Sequence, residues 1–160
     1  MIKLLGLLLT FSTVNADIFT FYLPDEGSRF EHHVLSRIKN AHTHITIVAP
    51  SIDFAPLRKA VIRPLSRGTH LTLIVQNPAQ DPLYYISYKN TDLYLYEKRL
   101  MSDTLILIDN THLCHLPQGL SDKQLTRNAL NVWCTDDAQA IHTAQQYIHR
   151  MIKRSRPYLE

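Results

Sequence analysis

No apolar run at the start of this chain is long enough to cross a bilayer: Leu4 to Phe11 falls well short of the ~20 residues a membrane helix needs. Cysteine is scarce, with only Cys114 and Cys134, and neither follows that run, which excludes a lipoprotein signal there. A strong excess of one charge is also missing. The net +3 permits an anionic partner without arguing for one. There is no internal repeat and no low-complexity segment, which excludes solenoids and disordered arrays. What is present is 160 residues, 45% hydrophobic and 19% charged, enough for one domain with a real core and too few for two.

The first sixteen residues read as a targeting segment. Lys3 gives the positive start, Leu4 to Phe11 the apolar stretch, and Val14-Asn15-Ala16 a small-x-small cleavage site. Removal after Ala16 is the expectation, leaving residues 17–160 as a domain exported to the periplasm or secreted; an uncleaved anchor or a buried first strand is the competing reading. In an oxidising compartment the pair Cys114 and Cys134 invites a disulfide, the alternative being two buried thiols.

Alternating β-branched and aromatic residues over 17–23 predict a strand stopped by Pro24. Ser28-Arg29-Phe30-Glu31 has the form of a capping box opening a helix to about Asn40, with Phe30, Val34, Leu35 and Ile38 inward. A strand over 45–48, a helix over 54–66 ended by Gly68, and an apolar strand over 71–75 follow. This β-α-β-α-β opening predicts parallel strands with right-handed crossovers. Residues 76–91 form a long connection. Further strands are expected at 93–96, 105–108, 111–116 and 129–134, the middle pair turning at Asp109-Asn110. From Asp136 a final helix places Ala140, Ala144, Ile148 and Ile152 at near four-residue spacing, and its basic end complements the helix dipole. The fold class is α/β: a mixed sheet flanked by helices.

Four blocks in order resemble the small, single-motif, exported nuclease-like members of the phospholipase D superfamily. They are Phe21-Tyr22-Leu23-Pro24, Val34 to Ile47, Leu57 to Val75, and Leu105-Ile106-Leu107-Ile108-Asp109-Asn110. The resemblance implies an α/β sandwich that dimerises so that two copies of a His-x-Lys-x4-Asp motif face each other. In that family one His attacks phosphorus, the second copy's His protonates the leaving group, and lysines and an Asn hold the phosphate oxygens. Carried over by position, the His falls on Ser102, the Lys on Thr104 and the Asp on Asp109, followed by Asn110. The downstream Gly-Ser falls near Leu116-Pro117 and the family's acidic residue near Arg127-Asn128. Only the Asp remains, and no histidine of the nine is followed two residues later by Lys.

Those losses are chemically severe. A hydroxyl is a poor nucleophile without a base to activate it, and Thr removes the cation that stabilises a phosphoryl transition state. The reading is a non-catalytic binding or assembly protein and a homodimer. The alternative is a divergent phosphodiesterase acting on phospholipid or nucleic acid. With a two-residue turn at Asp109-Asn110, His115 falls opposite Thr104 on the old catalytic face, unless it is an ordinary sheet histidine. His115, Arg99 and Asn128 are therefore candidate cleft residues. Tyr84, Tyr85 and Tyr88 form a candidate contact for an envelope protein. The pair His42-x-His44 shares a strand face, but two ligands do not make a metal site; neither a metal nor a cofactor is expected.

Overall fold

The computed structural model describes residues 16–79 and 81–159. All but the last residue of the expected targeting segment lies outside them. The strands are β1 (Ile18–Leu23), β2 (His44–Ala49), β3 (Ile52–Asp53), β4 (His70–Val75), β5 (Thr91–Leu95), β6 (Thr104–Ile108), β7 (His112–Leu116), β8 (Leu120–Ser121), β9 (Leu130–Thr135) and β10 (Arg156–Pro157). The helices are α1 (Gly27–Lys39), α2 (Ala55–Ser66), α3 (Asp81–Tyr85), α4 (Asp122–Arg127) and α5 (Ala138–Arg154).

Eight strands form one mixed sheet in the order β1-β9-β7-β6-β2-β4-β5-β10, and β3 pairs with β8 apart from it. Of the expected parallel opening, β1, β2 and β4, only β2 and β4 pair in parallel, and β5 extends them as a further parallel strand. Strand β1 instead pairs antiparallel with β9 at the far edge, because α1 carries the chain across three intervening strands. Alternation of side chains splits the core in two. Ile45, Ile47, Leu71, Leu73, Ile106 and Cys114 face α1 and α2. Val48, Ile74, Leu107 and Leu113 face α5, through Ile141, Ala144, Ile148 and Met151. The result is a three-layer sandwich.

Helix α1 starts without the predicted capping box. Its N-cap is Glu26, which makes no side-chain cap bond. The Glu26 carboxylate accepts from Tyr22 N–H at 2.8 Å and pairs with Arg29, so the turn is fixed from the strand side and the helix begins at Gly27 rather than after Ser28. Helix α5 is capped by Asp137, whose carboxylate accepts from Ala140 N–H at 2.7 Å. Gly68, at φ 92°, occupies the left-handed position that ends α2. The short helices α3 and α4 and the strands β3, β8 and β10 have no periodic signal in the sequence and were not anticipated.

Candidate functional site

The hairpin that carries the motif positions turns at Asp109 and Asn110, both left-handed at φ 50° and 55°. Thr111 N–H closes the turn on Ile108 C=O at 3.0 Å, and Thr111 then stays out of the ladder. That one extra residue changes every partner: Thr104 lies opposite Leu116, and His115 lies opposite Leu105. His115 is therefore on the α5 face, not across from Thr104 as expected.

Ser102 and Thr104, where the resemblance would place the family's His and Lys, are separated by this geometry. Thr104 is fully buried on the α1/α2 side, where its hydroxyl donates to Gln118 C=O at 2.6 Å. Asn128 belongs to the same side: its Nδ2 donates to Gln118 Oε1 at 2.9 Å. The space next to them is filled, since a Cβ at Gly119 would meet Gln124 Oε1 at 3.0 Å and Ser51 Oγ at 3.3 Å. Nothing in this patch is cationic. Gln118 was not singled out in the sequence, where a lone glutamine after Pro117 gives no signal of burial.

Asp109 has a full set of partners that the sequence did not reveal. Its carboxylate accepts from the backbone N–H groups of His42 at 2.9 Å, Thr43 at 2.8 Å and His44 at 3.1 Å, and from the Thr43 hydroxyl at 3.0 Å. Burial alone would raise its pKa, but these hydrogen bonds outweigh it and hold Asp109 below the usual carboxylate range. Asp109 thus tethers the α1–β2 turn, and Asn110 beside it is an exposed turn residue.

On the opposite face, a cleft of about 900 Å³ opens between the sheet and α5. Ser102, Asp103 and His115 line it together with Arg99, Arg150 and Arg154; Leu105, Leu113, Ala144 and Met151 supply apolar wall. Gln76 fixes the rim, with Nε2 donating to Arg99 C=O at 2.7 Å and Oε1 accepting from Met101 N–H at 2.8 Å. Leu100 stands on this rim almost fully exposed. Within the cleft, Ser102 donates its hydroxyl to Asp103 Oδ1 at 2.6 Å, and Asp103 Oδ2 lies 3.0 Å from His115 Nε2. The His115 ring stacks on Trp133 at 5.2 Å, with Nδ1 buried and without a protein partner.

This order matters chemically. A nucleophilic serine needs the imidazole next to its hydroxyl and the carboxylate behind the imidazole. Here the carboxylate stands between them, and the Ser102 hydroxyl, then His115, hold Asp103 below its ordinary pKa against some burial. It is a weak base for the one proton it faces. Arg150 and Arg154, with Tyr147, follow three- and four-residue spacing on α5; of these the sequence reading covered only Arg154, as part of the basic helix end.

The remaining candidates disperse. Tyr85 is fully buried, and burial drives its phenol pKa strongly upward, so it is a core residue and no part of a docking surface. Tyr84 is exposed, at the edge of Tyr85 and beneath the Arg58 guanidinium, and Tyr88 is half-buried. His44 is turned to Thr72 at 3.0 Å and stacks on His70, while His42 is exposed. Cys114 and Cys134 face each other across β7 and β9 and are joined by a disulfide. Among the described residues no helix is long and apolar enough to cross a membrane.

No family model and no curated protein sequence matches the chain. Solved structures do. NucT from Helicobacter pylori superposes with a TM-score of 0.81 at 21% identity, over 90% of this chain and 100% of that chain. The phospholipase D family member Nuc from Salmonella typhimurium gives a TM-score of 0.77 at 19% identity, over 91% and 100%. Phosphatidylserine synthase from Haemophilus influenzae gives 0.69 at 12%, over 89% of this chain and 40% of its own. The chain has the α/β sandwich fold of these structures, a phospholipase D family member among them, as the sequence blocks implied.

Proposed function

We propose that this phospholipase D-like domain is a non-catalytic one, exported, and that it acts by binding or assembly. One observation carries the reading: Ser102, Thr104 and Asp109, onto which the resemblance places the family's His, Lys and Asp, each already have a partner within the chain. Thr104 is sealed against Gln118, Asp109 is spent on three backbone amides, and Ser102 faces the weakly basic Asp103 carboxylate instead of an imidazole. The cleft under α5, apolar inside with Arg99, Arg150 and Arg154 around it, is the concavity a binding role would use. Export is supported by the Lys3 to Ala16 segment and by the Cys114–Cys134 bridge, which persists in oxidising compartments. The homodimer belongs to the same proposal, as does an envelope partner touching Tyr84 and Tyr88.

A divergent phosphodiesterase is the second reading, favoured by the Ser102–Asp103–His115 chain of hydrogen bonds lying beside three arginines. One experiment separates the two. Purified protein at high concentration is incubated with phospholipid, single-stranded DNA and RNA, alongside Ser102→Ala and His115→Ala variants. No turnover above the variants is expected. Hydrolysis abolished by either substitution would overturn the non-catalytic reading. Sedimentation velocity tests the dimer, and a monomer at micromolar concentration removes that part of the proposal.

A further inference from the structure

Two histidines that the sequence keeps 79 residues apart meet at the disulfide. His33, on α1, and His112, on β7, approach with their Nε2 atoms 3.0 Å apart, and Cys114 Sγ lies 3.6 Å from His112 Nε2. One ligand atom from each of His33, His112, Cys114 and Cys134 falls within 4.8 Å of all the others. Three of the four residues are buried and His33 is half-buried, which leaves a route of entry. Behind them, Asp136 hydrogen-bonds His112 Nδ1 and sits 3.9 Å from Arg37.

We propose that, with the disulfide reduced, Cys114, Cys134, His33 and His112 form a closed tetrahedral site for one thiophilic divalent cation of the zinc class. The metal state and the disulfide are alternative states of the same four residues. A tetrahedral zinc centre with ordinary bond lengths sets ligand atoms about 3.3 Å (N to N), 3.6 Å (S to N) and 3.8 Å (S to S) apart. The two histidine nitrogens and the Cys114–His112 contact already match within a few tenths of an ångström, and the sulfurs must separate. The outer carboxylate is in place as well. Because His112 Nδ1–H donates to Asp136, its Nε2 lone pair points at the cluster, the arrangement in which metal-binding histidines are normally held. His33 then presents its Nε2–H to that lone pair, 3.0 Å away. On binding, it moves its ring proton from Nε2 to Nδ1.

The chemistry balances with a phosphine as reductant. The phosphine breaks the S–S bond and gains oxygen from water, giving a phosphine oxide and two thiols. Metal capture then releases both thiol protons to solvent. The two states differ mechanically. The disulfide joins β7 to β9, strands already paired, whereas a metal ties α1 to both and so links the helical layer to the sheet.

The test uses the full chain reduced with a water-soluble phosphine and titrated with Co²⁺, then Zn²⁺. One cobalt per chain is expected, with the intense visible absorption of tetrahedral thiolate ligation, displaced by zinc. The oxidised chain and a Cys114→Ser/Cys134→Ser variant give none of it. His33→Gln loses the tetrahedral spectrum, and Asp136→Asn weakens binding roughly 10-fold or more. A reduced, folded chain that takes up no more metal than the double-serine variant overturns the site, as does a spectrum of six-coordinate cobalt or one indifferent to His33→Gln. If reduction unfolds the chain, zinc must restore its far-ultraviolet circular dichroism; failure to do so is equally decisive.

Discussion

Replacing Asp109 discriminates between a residue kept for chemistry and one kept for architecture. Its carboxylate receives four hydrogen bonds from His42, Thr43 and His44, all within 3.1 Å. A hydrogen bond to a charged group is worth about 1.5–3 kcal/mol net, but such values do not add, and water replaces part of the loss at this half-exposed turn. Asp109→Asn keeps the left-handed backbone, which Asn tolerates well, and removes the charge and one acceptor oxygen; about 1–2 kcal/mol should be lost. Asp109→Ala removes every bond, and with them the polar contacts that let a residue with a Cβ sit at φ 50°, for about 3–4 kcal/mol in all. In a domain of this size that is a fall of about 10 °C in Tm for Ala and about 3–6 °C for Asn. Urea and thermal unfolding measure both. The two variants should also converge on wild type in acid. The folded pKa of Asp109 is depressed, so its contribution is present above the unfolded carboxylate value and is lost as pH falls through the lower folded one. An Ala variant within about 0.5 kcal/mol of wild type would refute the structural account of Asp109.

Three other outcomes are expected. His33, depressed to about 4, stabilises the fold above its unfolded value near 6.5, and that contribution should drain away between pH 6.5 and 4. The shift corresponds to at most about 3 kcal/mol, and solvent screening at this half-exposed ring reduces it to about 1–2 kcal/mol; a His33→Gln variant should show a flatter stability profile over that window. Arg58→Ala leaves the fully buried Asp81 without its guanidinium partner, although Phe54 N–H still donates to it at 2.8 Å, so a loss of about 2–3 kcal/mol in urea unfolding is expected. Gly68→Ala, with nothing within 4 Å of the new methyl, should cost about 1 kcal/mol from the left-handed backbone alone, read as a shift in the urea midpoint.

The fold was legible because its signals are local and periodic. The apolar run of β4 and the four-residue stripe of α5 each state their own burial in adjacent residues. The site was not legible, for reasons that recur at each residue. Asp109 acts on amides 65–67 positions away, and no sequence spacing encodes that meeting. The placement of His115 turned on a single residue, Thr111, which the Asp109-Asn110 signature does not report. Histidine pairs close in sequence, such as His42 and His44, drew attention as a candidate metal pair. The pair that meets in space is His33 with His112, 79 residues apart. At α1 a true local rule was outcompeted, because Glu26 offered its carboxylate to Tyr22 and Arg29 before Ser28 could cap the helix.

The position of β1 has a consequence for how the molecule is made. Its partner β9 lies beyond residues 24–129, and the opposite edge is closed only by Arg156–Pro157. Neither margin of the sheet is complete until the last part of the chain is available, and pairings of such separation close late and slowly. During synthesis the aromatic β1 segment therefore waits without a strand to join.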